Sequence, residues 1–192
     1  MIYLASQSPR RQELLGQLQV AFDVIDVDVH EQRQELEKPW DYVNRVAREK
    51  AGKGLMSLAG NPHAVVLGAD TDVVLDDAVL GKPDSAEQAF AMLRALSGRS
   101  HEVITAVWLM SAGQEAHRVV SSRVRFAEIG DEEILSYIAT GEPFGKAGAY
   151  AVQGRAAAFI AAIEGSYSGI MGLPLYETSQ LLKQFRVPVW AG

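Results

Sequence analysis

The sequence predicts a mixed α/β fold with a substantial buried core, and three observations predict it. Apolar runs of strand length alternate with stretches of helical periodicity, and several of the runs sit in hairpin-like pairs, which departs from the strict βαβ alternation of a purely parallel sheet. Of the 192 residues, 48% are hydrophobic and 22% charged, the balance of an ordinary globular protein rather than a disordered one. A chain of this length buries about 70% of the surface its unfolded form exposes. It suits one domain, or two lobes folded together, over residues 1–192.

The elements follow in order. Ile2 to Ala5 reads as a buried strand. Ser8-Pro9 then opens a helix to about Leu18, since serine is a good N-cap and proline is favoured at the first helical position. Phe22 to Val29 alternates apolar and acidic residues and reads as a strand. Trp40 to Leu58 carries the clearest helical signal: Val43, Val46, Ala47, Ala51, Leu55 and Leu58 recur at three- and four-residue spacing. His63 to Leu67 is a strand ending in Gly68-Ala69-Asp70-Thr71. Val73 to Leu75 and Val79-Leu80 flank a turn at Asp76-Asp77-Ala78. Asp84 and Glu87 have the spacing of a capping box, opening a helix that Gly98 closes. His101 to Met110 and Arg118 to Phe126 are long strands around a polar turn. Asp131 caps a helix ending before Gly141, with Glu132 and Glu133 in its positive first turn. Tyr150 to Gln153 and Ala156 to Ile163 read as strands separated by Gly154-Arg155. Pro174 opens a last helix with Leu175, Thr178, Leu182 and Phe185 on its apolar face.

Composition also excludes functions. There is no cysteine, which rules out disulfides, Cys-ligated zinc, iron–sulfur clusters and thiol catalysis, and fits a reducing cytoplasmic setting. The net charge of -6 argues against a nucleic acid polymer or an anionic membrane as partner, because both call for a basic face. Arg10, Arg11 and Glu13 end the first apolar run too early for a signal peptide, and no run nears the roughly 20 residues that span a bilayer. His30, His63, His101 and His117 lack metal-ligand spacing, and no glycine-flanked serine elbow is present.

Polar residues instead gather at four glycine- or proline-marked junctions. At Ser6-Gln7-Ser8-Pro9-Arg10-Arg11 a strand turns into a helix. Free N–H groups there attract anions, and two arginines add charge, or else the residues merely cap the helix. Lys50 falls on the apolar face of its helix, either snorkelling from the core edge or pointing into a cleft. Asp70, just past a strand, suits a general base or metal ligand, or a turn aspartate bonding its own backbone. Lys82 stands on the adjoining Gly81-Lys82-Pro83 turn. The fourth junction, Gly145 to Gly154, has small residues that permit close backbone approach, plus Gln153, whose carboxamide pairs a donor with an acceptor. Cations at such loops in an acidic protein, with Glu31 and Asp70 as oxygen donors, suit a phosphorylated small molecule and Mg²⁺.

The chain resembles the Maf family of nucleoside triphosphate pyrophosphatases over essentially its whole length. The resemblance rests on Leu4 to Arg11, Ala47 to Ala51, Gly68 to Thr71, Gly81-Lys82-Pro83, Leu96-Ser97-Gly98, Lys146 to Tyr150, Gln153-Gly154 and Gly172 to Leu175, in family order. It implies an elongated, strongly curved mixed sheet flanked by helices, akin to inosine triphosphate pyrophosphatases, with two lobes around a nucleotide cleft. It also implies hydrolysis of a nucleoside triphosphate to monophosphate and pyrophosphate, in a cytoplasmic, house-cleaning homodimer. Asp70 then matches the proposed general base and, with Glu31, the site of a divalent cation, Mg²⁺ or Mn²⁺. Ser6, Arg10, Arg11, Lys50 and Lys82 match phosphate-binding positions; Arg10, Thr71 and Gln153 match positions of base selection. Ala149-Tyr150 with Gln153-Gly154 resembles the branch acting on dTTP and UTP. The branch acting on 7-methyl-GTP carries a different sequence near Gln153. Gly145 departs from the aspartate of many relatives. A non-catalytic regulator of septum formation and cell division is the rival from another class, and it predicts binding without turnover.

Overall fold

The first strand, β1 (Ile2–Leu4), is short and apolar, and both Ile2 and Leu4 are fully buried in the computed structural model, which describes residues 1–190. It pairs in parallel with β2 (Phe22–Val24) on one side and with β3 (Val65–Leu75) on the other. Parallel neighbours need crossover connections. Helix α1 (Pro9–Gln17) makes the first and α2 (Pro39–Ser57) the second. β4 (Ala78–Leu80) folds back antiparallel on the end of β3 through Asp76 and Asp77, both with positive φ. β5 (Ser100–Ser111) and β6 (Gln114–Phe126) form a long hairpin, and β7 (Ile160–Glu164) pairs antiparallel with β6. The seven-stranded sheet has the order β2-β1-β3-β5-β6-β7, with β4 on β3. The mixed α/β reading of the sequence therefore holds.

The chain clusters into two units. The first comprises Met1–Asp70, Thr105–Val120 and the segment from Gly172; the second comprises Thr71–Ile104 and Ser121–Met171. In the first, α2 buries Val43, Val46, Ala47, Ala51 and Gly54, and Ala47, Ala51 and Gly54 lie against β3. The approach is set by glycine. A Cβ on Gly68 would stand 2.4 Å from the Ala51 nitrogen and 2.6 Å from the Ala47 oxygen, distances that no side-chain adjustment can relieve. Trp108 closes the other side of α2, donating to Asn44 Oδ1 at 2.8 Å and stacking on His117 at 4.2 Å. Helix α6 (Leu175–Gln184) adds Leu181 and Leu182 to this core.

In the second unit, α3 (Ala86–Leu96) buries Ala89, Leu93 and Leu96, and α4 (Asp131–Ile138) buries Ile134, Tyr137 and Ile138. An aromatic cluster lies in the same unit: Phe126 is edge-on to His101 at 5.1 Å and to Tyr150 at 4.9 Å, and Tyr137 of α4 is edge-on to Phe159 at 5.4 Å. A short helix, α5 (Tyr167–Met171), follows β7.

Several sequence expectations shift. β2 stops at Val24 rather than Val29, because its partner β1 ends at Leu4 and pairing runs out. β3 does not end at Leu67 but runs on through Gly68 and Asp70, since that glycine serves close packing and not a turn. The N-cap of α3 is Ser85, whose Oγ accepts from Gln88 N, and not Asp84; that of α4 is Gly130 and not Asp131. Tyr150–Gln153 is not a strand, and Arg155–Phe159 forms a 3₁₀ turn before β7, in an alanine-rich run without β-branched residues. Helix α5 has no counterpart among the elements that the sequence predicts.

Candidate active site

Three ionisable groups meet in the first unit. Lys50 comes from the buried face of α2 and Asp70 from the middle of β3, and only 8% and 6% of their surface remains exposed. The Lys50 ammonium donates to Asp70 Oδ1 at 2.8 Å and lies 2.5 Å from Glu31 Oε1. Glu31 arrives from the irregular segment between β2 and α2, and its side chain is 38% exposed. One ammonium thus sits between two carboxylates, one buried and one open to solvent. The Lys50 ammonium is buried against the two carboxylates and does not snorkel out from the core edge.

A second cluster lies at the β1–α1 junction. Arg11 is 9% exposed; its Nε donates to the Gly172 carbonyl at 2.9 Å and its Nη1 to Ser6 Oγ at 3.2 Å. Ser6 Oγ also accepts from the Ser8 backbone N–H at 3.3 Å, so this serine organises the turn while Ser8 caps without a side-chain bond. Arg10 is half-buried, and desolvation by burial lowers its pKa from the ordinary arginine value. At the N-terminus of α1, the pairing of Ser6 and Arg11 favours an anion.

Thr71, Lys82 and Gln153 belong to the second unit. There the Gly148 N–H donates to the Gly81 carbonyl at 3.1 Å, which ties the loop bearing Lys82 to the loop bearing Lys146. Lys82 and Gln153 are exposed and Thr71 is half-buried.

Two residues escaped the reading of the sequence. Asp72 is 8% exposed and shares the strand face of Asp70, a fact that strand alternation reveals once β3 is known to continue. Glu142 gathers hydrogen bonds from Arg155 N, Ala156 N and the Tyr137 hydroxyl, and nothing in its sequence context signals that.

Among the described residues, no three His, Cys, Asp or Glu side chains converge as a metal-binding group. Glu31 and Asp70 do converge, on a point that already accommodates a positive charge. Two carboxylates suit a hard cation that takes its remaining ligands from water and substrate phosphates, as Mg²⁺ does. The pair fits such an ion. As for acid–base chemistry, Asp70 is a carboxylate acceptor whose orientation Lys50 fixes by a direct hydrogen bond.

Residues 1–185 match the family model described as Maf-like protein. The chain is 57% identical over 187 residues to a dTTP/UTP pyrophosphatase of Xanthomonas euvesicatoria pv. vesicatoria, covering 96% of this chain and 98% of that one. It is 53% identical over 186 residues to a nucleoside triphosphate pyrophosphatase of Xylella fastidiosa, with the same coverage of 96% and 98%. Among solved structures, a nucleoside-triphosphatase / dITP/XTP pyrophosphatase of Mycobacterium abscessus aligns with a TM-score of 0.43 at 18% identity, covering 67% of this chain and 75% of that one.

Proposed function

The chain belongs to the Maf family, and on that footing we propose that it hydrolyses dTTP and UTP to the nucleoside monophosphate and pyrophosphate. The observation that carries the reading is the buried Lys50–Asp70 ion pair, built from motifs that match the family, with Glu31 on the same ammonium. The full-length relatives named as pyrophosphatases support the reaction, and those named for dTTP and UTP support the substrate. The match over residues 1–185 supports a single Maf-like domain.

In the mechanism, Asp70 accepts a proton from a water that attacks the α-phosphorus. The bond from that phosphorus to the bridging oxygen breaks, and pyrophosphate leaves. Lys50 holds the Asp70 carboxylate in place and, with Ser6, Arg10, Arg11 and Lys82, is assigned to the phosphates. Positioning and charge stabilisation carry most of the acceleration in phosphoryl chemistry. Glu31 and Asp70 would hold Mg²⁺ or Mn²⁺, which neutralises charge on phosphate oxygens when bound. Arg10, Thr71 and Gln153 are assigned to the base.

Incubation of the purified protein with each common nucleotide and 7-methyl-GTP in Mg²⁺, followed by product identification, tests this. Pyrophosphate and monophosphate from dTTP and UTP are expected. Inorganic phosphate as the product, or binding without turnover, overturns the reaction; preference for 7-methyl-GTP overturns the substrate. No helix among the described residues is long and apolar enough to cross a membrane. A homodimer in the cytoplasm is the assembly and setting we assign, to be read by light scattering and cell fractionation.

A further inference from the structure

The short turn that bears Gln153 is clamped from both sides by side chains of its own unit. Ala151 to Gly154 closes through a hydrogen bond from the Gly154 N–H to the Ala151 carbonyl at 3.0 Å, and Gln153 is exposed at its third position. Just before the turn, the Tyr150 hydroxyl meets His101 Nε2 at 2.8 Å, and the two rings, 6% and 3% exposed, lie edge-on in the aromatic cluster. His101 Nδ1 is buried and has no hydrogen-bond partner among the described residues, so Tyr150 is what fixes the polar edge of that imidazole. Just after the turn, the Glu142 carboxylate accepts from Arg155 N at 3.0 Å and Ala156 N at 3.2 Å, and from the Tyr137 hydroxyl at 2.9 Å. It also presses on the turn itself, because a Cβ on Gly154 would lie 2.3 Å from Glu142 Oε1. Burial alone would raise the Glu142 pKa, but these three donors and the Lys146 charge outweigh it and hold the carboxyl below its usual range.

A glutamine on a mobile loop discriminates poorly between bases, since recognition geometry must be held to about 0.5 Å. We propose that Glu142 is a specificity-positioning residue: with the Tyr150–His101 contact at the other end, it fixes the turn that presents Gln153 to the nucleobase. This rests on the assignment of Gln153 to base selection. Glu142 does not itself touch the nucleotide; it acts through the backbone of Gly154, Arg155 and Ala156. A carboxylate that only capped the 3₁₀ turn would affect stability and leave base choice alone.

The test uses the full chain and measures kcat and KM for dTTP, UTP, CTP and GTP. The variants are Gln153→Ala, Glu142→Gln, Gly154→Ala and the Glu142→Gln/Gln153→Ala double variant. Gln153→Ala is expected to lower the kcat/KM ratio of dTTP to GTP by about tenfold, the scale of one lost hydrogen bond to a base. Glu142→Gln is expected to reproduce most of that loss through KM for dTTP, with kcat on GTP within about twofold of wild type. The double variant is expected to discriminate no worse than Gln153→Ala, since both changes remove one device. Hydrogen exchange at the Arg155 and Ala156 amides should accelerate in Glu142→Gln. If that variant does not fold, Gly154→Ala displaces the carboxylate without removing it and carries the same expectation. Loss of selectivity in Gln153→Ala with selectivity kept in Glu142→Gln and Gly154→Ala overturns the proposal alone. Selectivity kept in Gln153→Ala overturns the base-reading assignment and the proposal with it. A uniform loss across all four nucleotides, or full additivity in the double variant, makes Glu142 a cap and overturns the proposal.

Discussion

Replacing Lys50 by methionine keeps the length of the side chain and removes its charge, leaving Asp70 and Glu31 facing each other without a cation. The Lys50–Asp70 contact is 2.8 Å with both groups about nine-tenths buried, whereas Glu31 is partly solvated. At an effective dielectric near 20, a pair at that distance attracts by about 6 kcal/mol. Desolvation of both ions offsets much of this, so the pair itself adds little net stability. Removing one partner is different, because a buried carboxylate is then uncompensated, at about 3–5 kcal/mol. For a chain of this size each kcal/mol shifts Tm by about 2–4 °C, so Lys50→Met should melt about 10 °C below wild type. Mg²⁺ or Mn²⁺ without nucleotide should then raise the Tm of the variant more than that of wild type, because the position between the two carboxylates has been vacated. Calorimetry with and without 5 mM metal (roughly saturating for a weak two-carboxylate site) measures both. A variant that melts within about 2 °C of wild type, or gains no more from metal than wild type does, refutes the reasoning.

Asp70→Asn keeps the shape of the strand but cannot accept the proton, and kcat should fall by about 10²–10⁴-fold while dTTP still binds; assay of pyrophosphate release and of nucleotide binding separates the two. His101 gives a pH signature. Burial depresses its pKa from 6.5 to about 4. Between those values the unfolded chain takes up a proton that the folded chain refuses. The associated stability is therefore full above about pH 6.5, falls as pH drops towards 4 and levels off below, a change on the order of 3 kcal/mol. In His101→Phe that component should vanish, as the difference in urea midpoint between variant and wild type against pH will show; parallel curves contradict it. Gly68→Ala forces a methyl onto the α2 backbone at 2.4 Å, and should destabilise by about 3 kcal/mol or more, or prevent folding, by denaturant titration; a loss under about 1 kcal/mol refutes the close-packing account.

Much of this was legible from residue order, in proportion to how local the cause was. Spacing along α2 placed Lys50 on the buried face, because helical periodicity needs no knowledge of the partner. Its partners were another matter. Asp70 was visible as a candidate, but its strand had been ended at Gly68, since a glycine that serves close approach looks like a glycine that serves a turn. Glu31 lies in an irregular segment with no periodicity to read, so the sequence offers it as an oxygen donor without showing that it meets Lys50. The 3₁₀ turn at Arg155–Phe159 depends on Glu142, thirteen residues before Arg155, and a single carboxylate holding backbone at that remove leaves no local pattern.

The absent side chain at Gly68 bears on how the enzyme can change. Main chain touches main chain where α2 crosses β3, so the offset between Ala47–Ala51 and Gly68 is dictated by atoms every variant retains, and Lys50 and Asp70 inherit that offset. That crossing is therefore most sensitive to a side chain placed at Gly68. Lys82 and Gln153, by contrast, are exposed on loops, where a change of side chain meets no such backbone constraint.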